Sequence, residues 1–366
     1  MRVALVTPLY RPAIGGVETH VEQLATGLAA AGHDVEVLTQ AHDSALPAQE
    51  EHAGVLVRRF AAATNAEHYR FAPGLVRFLA RRAGSWDLLH AHNYHALPAL
   101  MAALTRRGVF VLTPHYHGTS QSSFRDLLHR PYRIAGTLMM RRASKVIAVA
   151  PSEAALLERH FPRVREKLAI VPNGVDGPAI AAAQPFETGD SKVVLVAGRL
   201  ADYKRVDTTI RAVDQLDARY VLRVSGDGPM RPGLQALVRE LGAEGRVEFL
   251  GRIERGELYR WFRTAEVFVT MSEIEALGIT VLEALAGGAR VVASDIPAHR
   301  DAAALGGNGV RLIPPAASPR ELAAAIEEAP PSDTPVERIP TWHEILERTL
   351  AVYDEAIVAS SGARAE

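Results

Sequence analysis

The chain has no cysteine. That excludes disulfide staples and thiolate metal centres, and a reducing compartment is the default expectation. No apolar run reaches the length that spans a bilayer. The opening MRVALVTPLYRPAIGG carries no charged leader and no long apolar stretch before a cleavage site. A cytoplasmic protein, or one held peripherally at the inner face of a membrane, is therefore expected. Strong charge of either sign is also missing: the formal net charge is −1, which argues against a nucleic-acid partner. Finally, there is no G-x-G-x-x-G, the glycine fingerprint that a nicotinamide-dependent dehydrogenase would carry.

What is present is a chain of 366 residues with 48% hydrophobic content, long for a single core and more natural as two domains. Charge divides unevenly between them. Residues 1–176 hold an excess of positive charge and the remainder an excess of negative charge. Short apolar runs alternate with helical patterns, the signature of βα units around a parallel sheet. RVALVT (2–7), VEVLT (35–39), VLVRRF (55–60), DLLHAH (87–92), VFVLTP (109–114) and KVIAVA (145–150) read as strands of the first domain. The pattern restarts at KVVLVAGRL (192–200) and continues through YVLRVSGDG, VEFLG, VFVTMS, RVVAS and VRLIPP. The intervening residues 177–191, rich in Pro, Gly and small side chains, read as the linker. The resulting division is 1–176, linker 177–191, 192–340, and a final helix and tail at 341–366. That helix carries Trp342, Leu346, Leu350 and Tyr353 on one stripe and can cap either domain, a return to the first included. Two doubly wound domains place ligands at the C-terminal ends of their strands.

Several strand ends carry chemistry. In PAIGGVETH a strand gives way to a helix through Gly15 and Gly16, where backbone N–H groups and the helix dipole favour an anion. A plain flexible loop reads equally from those residues. In AGRLADYKR, Arg199 and Lys204 leave a strand end together and can converge on a diphosphate, or form a solvated basic loop. SGDGP repeats the strand-then-glycine pattern at Gly226, with Asp227 placed to cap a turn. His90 and His92 would share a strand face, but no carboxylate or thiolate accompanies them at metal-like spacing, so no metal is expected there. His115, just past a strand end, can donate to a sugar hydroxyl or serve as a buried structural histidine.

The stretch IEALGITVLEALAGG sets Glu275 in a loop and Glu283 on the helix that follows, in otherwise apolar surroundings where an unpaired carboxylate is costly. Two carboxylates so spaced can hold hydroxyl pairs of one extended polyol. Ser272 and the amides of Gly278, Ile279 and Thr280 lie between them, at a helix N-terminus suited to phosphate.

Taken in order, GGVETH, HAH, TPHYHG, VPNGVD, GRL…YK, SGDGP, FLG and the E-x7-E of Glu275 and Glu283 resemble a family 4 retaining glycosyltransferase of the GT-B fold, over nearly the whole chain. Each motif is weak alone; eight in sequence order are specific. The resemblance implies two Rossmann-like α/β domains, an N-terminal acceptor domain and a C-terminal domain for a UDP- or GDP-linked sugar. It implies transfer to a hydroxyl acceptor with retained configuration, and neither cofactor nor metal. The absence of a D-x-D, the usual metal–diphosphate holder of the other major glycosyltransferase fold, agrees with this. By the same resemblance Arg199 and Lys204 clamp the diphosphate, Glu283 takes the ribose hydroxyls, and Glu275 the sugar hydroxyls. Gly16 offers its amide to the phosphate, His115 sits beside the sugar, and the amides of Gly251, Arg252 and Ile253 meet the base. Ala276 and Leu277 depart from the pattern, where a glycine and an aromatic are common, which bears on the shape of that loop. A GT-B epimerase or hydrolase, and an inactive nucleotide-sugar-binding module, are the competing functions.

The basic first domain also raises a partner. RFAPGLVRFLARRAG (70–84) and RDLLHRPYRIAGTLMMRRASK (125–145) set arginines around Leu, Phe or Met at near-helical spacing. Such helices lie on anionic lipid, pack an ordinary stripe on a sheet, or recruit an anionic acceptor.

Overall fold

The computed structural model describes all residues except Ile14, 64–69, 119–122, Asn308, 333–337 and 363–366, and all described side chains except those of 123–131 and 361–362. Part of the basic segment 125–145 therefore lies outside the described side chains. Two compact units emerge, Met1–Asn173 with Trp342–Glu366, and Gly174–Thr341.

The first unit opens with β1 (Arg2–Val6), α1 (Gly16–Ala30), β2 (Asp34–Ala41), β3 (Gln49–His52) and β4 (Val55–Ala61). It continues with α2 (Pro73–Arg82), β5 (Leu88–His92), α3 (Leu97–Thr105), β6 (Val109–Thr113) and α4 (Ser123–Arg142). β7 (Lys145–Ala148), α5 (Pro151–His160) and β8 (Leu168–Ile170) complete the sheet, whose order is β3-β4-β2-β1-β5-β6-β7-β8. β1, β5 and β6 are buried almost throughout, the continuous apolar run of a parallel strand covered on both faces. β3, by contrast, reads QEEH, pairs antiparallel with β4, and sits at the edge. No apolar pattern announces such a strand, and the sequence reading has no place for it. β8 is equally unannounced.

The second unit begins with α6 (Gly177–Ala182), then β9 (Lys192–Ala197), α7 (Val206–Asp214), β10 (Tyr220–Ser225), α8 (Arg231–Glu240), β11 (Val247–Gly251) and α9 (Arg255–Thr264). β12 (Val267–Thr270), α10 (Ile279–Ala286), β13 (Arg290–Ser294), α11 (Pro297–Gly306), β14 (Val310–Ile313) and α12 (Pro319–Glu327) follow. The sheet is all parallel with order β11-β10-β9-β12-β13-β14. Strand order reverses between β9 and β12, and the carboxyl ends of that pair mark the crevice where doubly wound sheets take ligands.

One boundary differs from the sequence reading, and one alternative left open there is decided. The stretch read as linker is ordered: Asp176 caps α6, and Phe186 stacks on Trp261 at 4.4 Å with the Arg260 guanidinium 3.8 Å from its ring. Apolar contacts hidden in a small-residue composition hold it to the second unit. The last helix, α13 (Trp342–Gly362), belongs to the first unit. Ile345, Val352, Tyr353 and Ala356 enter the core with Val3, Leu5, Val21 and Leu28, and the Tyr353 hydroxyl meets His90 Nδ1 at 2.7 Å. Fully burying side chains of this size stabilises by roughly 1.5–3 kcal/mol each, enough to fix the helix there.

α2 spends its apolar stripe on the core: Leu75 and Leu79 are fully buried and Phe78 packs on Phe60 and Trp86. Its arginines Arg77, Arg81 and Arg82 face water. α4 differs, because Ile134 (75% exposed) and Leu138 (37%) stand outside the core beside exposed Arg133 and Arg141. Among the described residues no helix is long and apolar enough to cross a membrane.

Candidate functional site

The crevice end of the second unit is built by glycines that let backbones touch. Gly198 follows the end of β9 and Gly226 the end of β10. A Cβ on Gly226 (φ 122°) would lie 1.9 Å from the Gly198 carbonyl oxygen, and one on Gly228 2.3 Å from that of Leu200. Backbone bonds lace the same region: Gly198 N–H donates to Ser225 O, Gly226 N–H to Gly251 O, and Leu200 N–H to Asp227 O. The glycines of SGDGP therefore have a structural duty first, joining adjacent strand ends. Asp227 indeed caps locally, accepting from the Gly228 amide at 2.8 Å. Gly251 ends β11 with φ 70°; exposed Arg252 and half-buried Ile253 follow it.

Out of this joint the chain sends Arg199, exposed, and then Lys204, whose side chain is 18% exposed. A shallow depression opens here, lined by Gly198, Arg199, Lys204, Thr270 and Met271 among others. Glu275 reaches the same place from the loop after β12, and Lys204 Nζ donates to Glu275 Oε1. Residues that the sequence reading gave separate ligand partners are thus paired with each other in the ligand-free protein. Burial pulls the Lys204 pKa down, but the Glu275 charge outweighs it and leaves the ammonium above its ordinary value. Burial likewise pushes the Glu275 carboxyl up, and Lys204, with lesser help from Ser272, brings it below its ordinary value. Both groups are charged at neutral pH.

Glu283 is the fifth residue of α10. Burial raises its carboxyl to about 7, opposed only in part by Arg255 at the start of α9. An acid so poised, half-buried at a strand-end crevice, is the kind of group found at ligand sites. Gly278 caps α10 at φ 77°, a left-handed conformation that favours glycine. A Cβ there would also approach His299 Cδ2 to 2.9 Å. Ile279 and Thr280 form the first turn, so their amides and that of Gly278 face outward as unsatisfied donors of the helix start. Ser272 is fully buried, 3.1 Å from the Thr270 hydroxyl, and its carbonyl accepts from Ser294. Leu277, in the loop that departs from the family pattern, is 2% exposed and anchors the loop to the core.

His299 and Arg255 were absent from the sequence reading. His299 Nδ1 is fixed by Ser294, while Nε2 is buried with no partner among the described residues, near the Glu275 charge. No motif flags either residue. Each is found only by the surroundings of a glutamate distant in sequence.

In the first unit, strand order reverses between β1 and β5. Gly15 is the N-cap of α1 and Gly16 its first residue. A Cβ on Gly16 would meet nothing within 4 Å, so its own fold does not require glycine there. His115 follows β6 in a left-handed conformation (φ 48°), uncommon outside glycine. It is 7% exposed, its Nε2 has no partner, and burial drives its pKa well below 6.5. His90 is satisfied on both nitrogens, by Tyr353 and Thr113, and is structural.

Residues 14–177 match the family described as Glycosyltransferase Family 4, and residues 180–333 match Glycosyl transferases group 1. A D-inositol 3-phosphate glycosyltransferase of Streptomyces scabiei is 32% identical over 81% of this chain and 76% of its own length. A glycogen synthase of Mycobacterium tuberculosis is 28% identical over 86% and 83%. Among solved structures, a sucrose-phosphate synthase of Thermosynechococcus elongatus superposes with TM-score 0.75 at 22% identity, covering 100% of this chain and 98% of that one. An Anabaena protein in complex with UDP-glucose gives 0.72 at 19%, covering 98% and 99%. At those identities the structures speak to fold alone.

Proposed function

Because the chain belongs to the family 4, group 1 glycosyltransferases and has their GT-B fold, we propose that it is a retaining hexosyltransferase, with the donor nucleotide sugar held by the second unit. One observation carries this: Arg199 and Lys204 line one depression where the strand order of that unit reverses, Lys204 meets Glu275 there, and the helix that follows, α10, carries Glu283. A diphosphate needs the cations and helix amides, and a ribose and a hexose need the carboxylates. A UDP-linked donor leads, since the Anabaena neighbour was solved with UDP-glucose; a GDP-linked donor is second.

Cleaving the sugar–diphosphate bond puts negative charge on the leaving phosphate. Arg199 and Lys204 stabilise it by preorganised charge, without proton transfer. Among the described residues no side chain stands out as a double-displacement nucleophile, so attack comes from the front face, and a β-phosphate oxygen takes the acceptor proton. For this to happen the donor diphosphate must share Lys204 with Glu275, leaving that carboxylate free to accept sugar hydroxyls. The family pattern gives Gly16 and His115 of the first unit contacts to phosphate and sugar. Gly16 keeps an open approach that its own helix does not demand.

The test is a donor screen by thermal shift, followed by the best donor against acceptor pools, with product anomers assigned by NMR. An α-linked product from an α-linked donor is expected. An inverted product, or donor rearrangement without any acceptor, overturns the reading. Transfer needs no metal, because the cations and amides already meet the diphosphate charge: activity is expected to survive exhaustive EDTA treatment. Loss of activity restored by Mg²⁺ or Mn²⁺ would refute it.

Acceptors are small-molecule, glycan or lipid-linked hydroxyls, and the exposed Ile134 and Leu138 among arginines on α4 support peripheral contact with anionic membrane. Co-sedimentation with vesicles is expected to need anionic lipid and to fade with salt. Absence of binding at low salt, with Ile134→Asp unchanged in activity on a lipid-linked acceptor, removes the membrane from the account.

A further inference from the structure

Three histidines from three separate segments of the first unit meet at the carboxyl ends of its central strands. His20 is the fifth residue of α1, His92 the last of β5, and His115 lies two residues past β6. They are 3%, 0% and 7% exposed. One ring nitrogen from each lies within 4.8 Å of the other two, and the ring centroids are 5.3, 5.3 and 5.9 Å apart.

Buried polar atoms are normally hydrogen-bonded, and each exception requires a cause. Here His92 has no partner on Nδ1 or Nε2, and His115 none on Nε2. The neighbouring His90, 4.1 Å from His92 by centroid, is bonded on both sides. The unsatisfied nitrogens thus belong to the histidines that face one another. His20 adds a second element. Its Nδ1 donates to Asn173 Oδ1 at 2.8 Å, which fixes the tautomer and leaves the lone pair on Nε2, as outer-sphere partners do for metal-bound imidazoles.

We propose that His20, His92 and His115 bind one divalent cation of the Zn²⁺ class, each through one ring nitrogen, with water at the fourth position. Three neutral imidazoles suit a borderline cation; with no oxygen ligand among them they do not suit Mg²⁺ or Ca²⁺. Bonds of about 2.1 Å in a tetrahedral site need nitrogens roughly 3.4 Å apart, so from a spacing of up to 4.8 Å the rings draw together on binding. Donor cleavage as proposed above uses no metal, and the two sites share His115. On the reading that His115 sits beside the donor sugar, metal capture of that imidazole inhibits transfer.

Co²⁺ titration of the EDTA-stripped full chain tests the site without any activity measurement. One equivalent is expected to produce the intense visible bands of four-coordinate Co²⁺, displaced by Zn²⁺. His20→Gln and His92→Gln are each expected to weaken binding about tenfold or more. His343→Gln, on the exposed face of α13, leaves it unchanged. Far-UV circular dichroism of the metal-free variants checks the fold; if His92→Gln does not fold, His20→Gln decides. Absent bands, or an affinity unchanged in the decisive variant, overturns the proposal. Bands with no inhibition by Zn²⁺ leave the metal site standing and count against the place given to His115.

Discussion

Lys204→Ala is expected to lower turnover by roughly 10²-fold or more, the size seen for loss of one preorganised charge facing a developing anion. Two effects combine. The leaving diphosphate loses a cation, and Glu275 loses the partner that keeps it ionised. Burial is the larger influence on that carboxyl and is held in check chiefly by Lys204; without the ammonium, Glu275 shifts upward and becomes a poorer acceptor for sugar hydroxyls. Arg199→Ala should cost turnover similarly with less disturbance, because Arg199 is exposed. If both cations act on one diphosphate, the double variant falls short of the product of the single losses. Steady-state kinetics of the three variants decide. Wild-type turnover in both single variants removes the diphosphate clamp from the mechanism.

The pair also has a signature in stability. Glu275 is held below its ordinary pKa, so its contribution is present at neutral pH and is lost as pH falls through its folded value. Lys204 is held above its own, so its contribution is present below its ordinary value and lost as pH rises through the folded one. Across the neutral range both are in place.

Much of this was legible from residues alone, and the exceptions have physical causes. Buried parallel strands announce themselves because both faces are apolar, as in VALV of β1 and VVLV of β9. Strand ends show through the glycines that close backbone approach demands, Gly198 against Gly226. Pairings across the chain do not show. Lys204 and Glu275 are 71 residues apart, and the imidazoles of His20, His92 and His115 come from three segments that only the fold brings together. A polar edge strand such as β3 has no alternation to read, since neither face is core. The small-residue stretch after Asp176 looks like a free linker because its anchors, Phe186 and Ile180, are sparse. His299 and Arg255 belong to no motif and matter only through the carboxylates they face.

Glu283→Ala is expected to weaken nucleotide binding by roughly 10- to 100-fold, the worth of one or two hydrogen bonds to a charged acceptor, about 1.5–3 kcal/mol. Glu275→Ala should leave nucleotide affinity near wild type and depress turnover instead. The glutamates differ because their surroundings differ. Glu275 is kept ionised by Lys204, whereas burial leaves Glu283 poised at about 7 with only Arg255 opposing. A protonated carboxyl accepts fewer hydroxyl bonds, so affinity for UDP in wild type should rise as pH climbs through 7. Glu283→Gln should flatten that rise. Stability runs the other way. The native state holds this proton more tightly than the unfolded chain, so the stabilising contribution is complete below the ordinary carboxyl value and disappears as pH climbs through 7. Unmodified Glu283 therefore gives up stability over the same window in which it gains ligand affinity, and Glu283→Gln should keep the stability while losing the affinity. Calorimetric titration of UDP and GDP between pH 6 and about 8, with thermal unfolding on the same samples, reads both trends. If the Glu283 variants bind both nucleotides as wild type does, the ribose is held elsewhere.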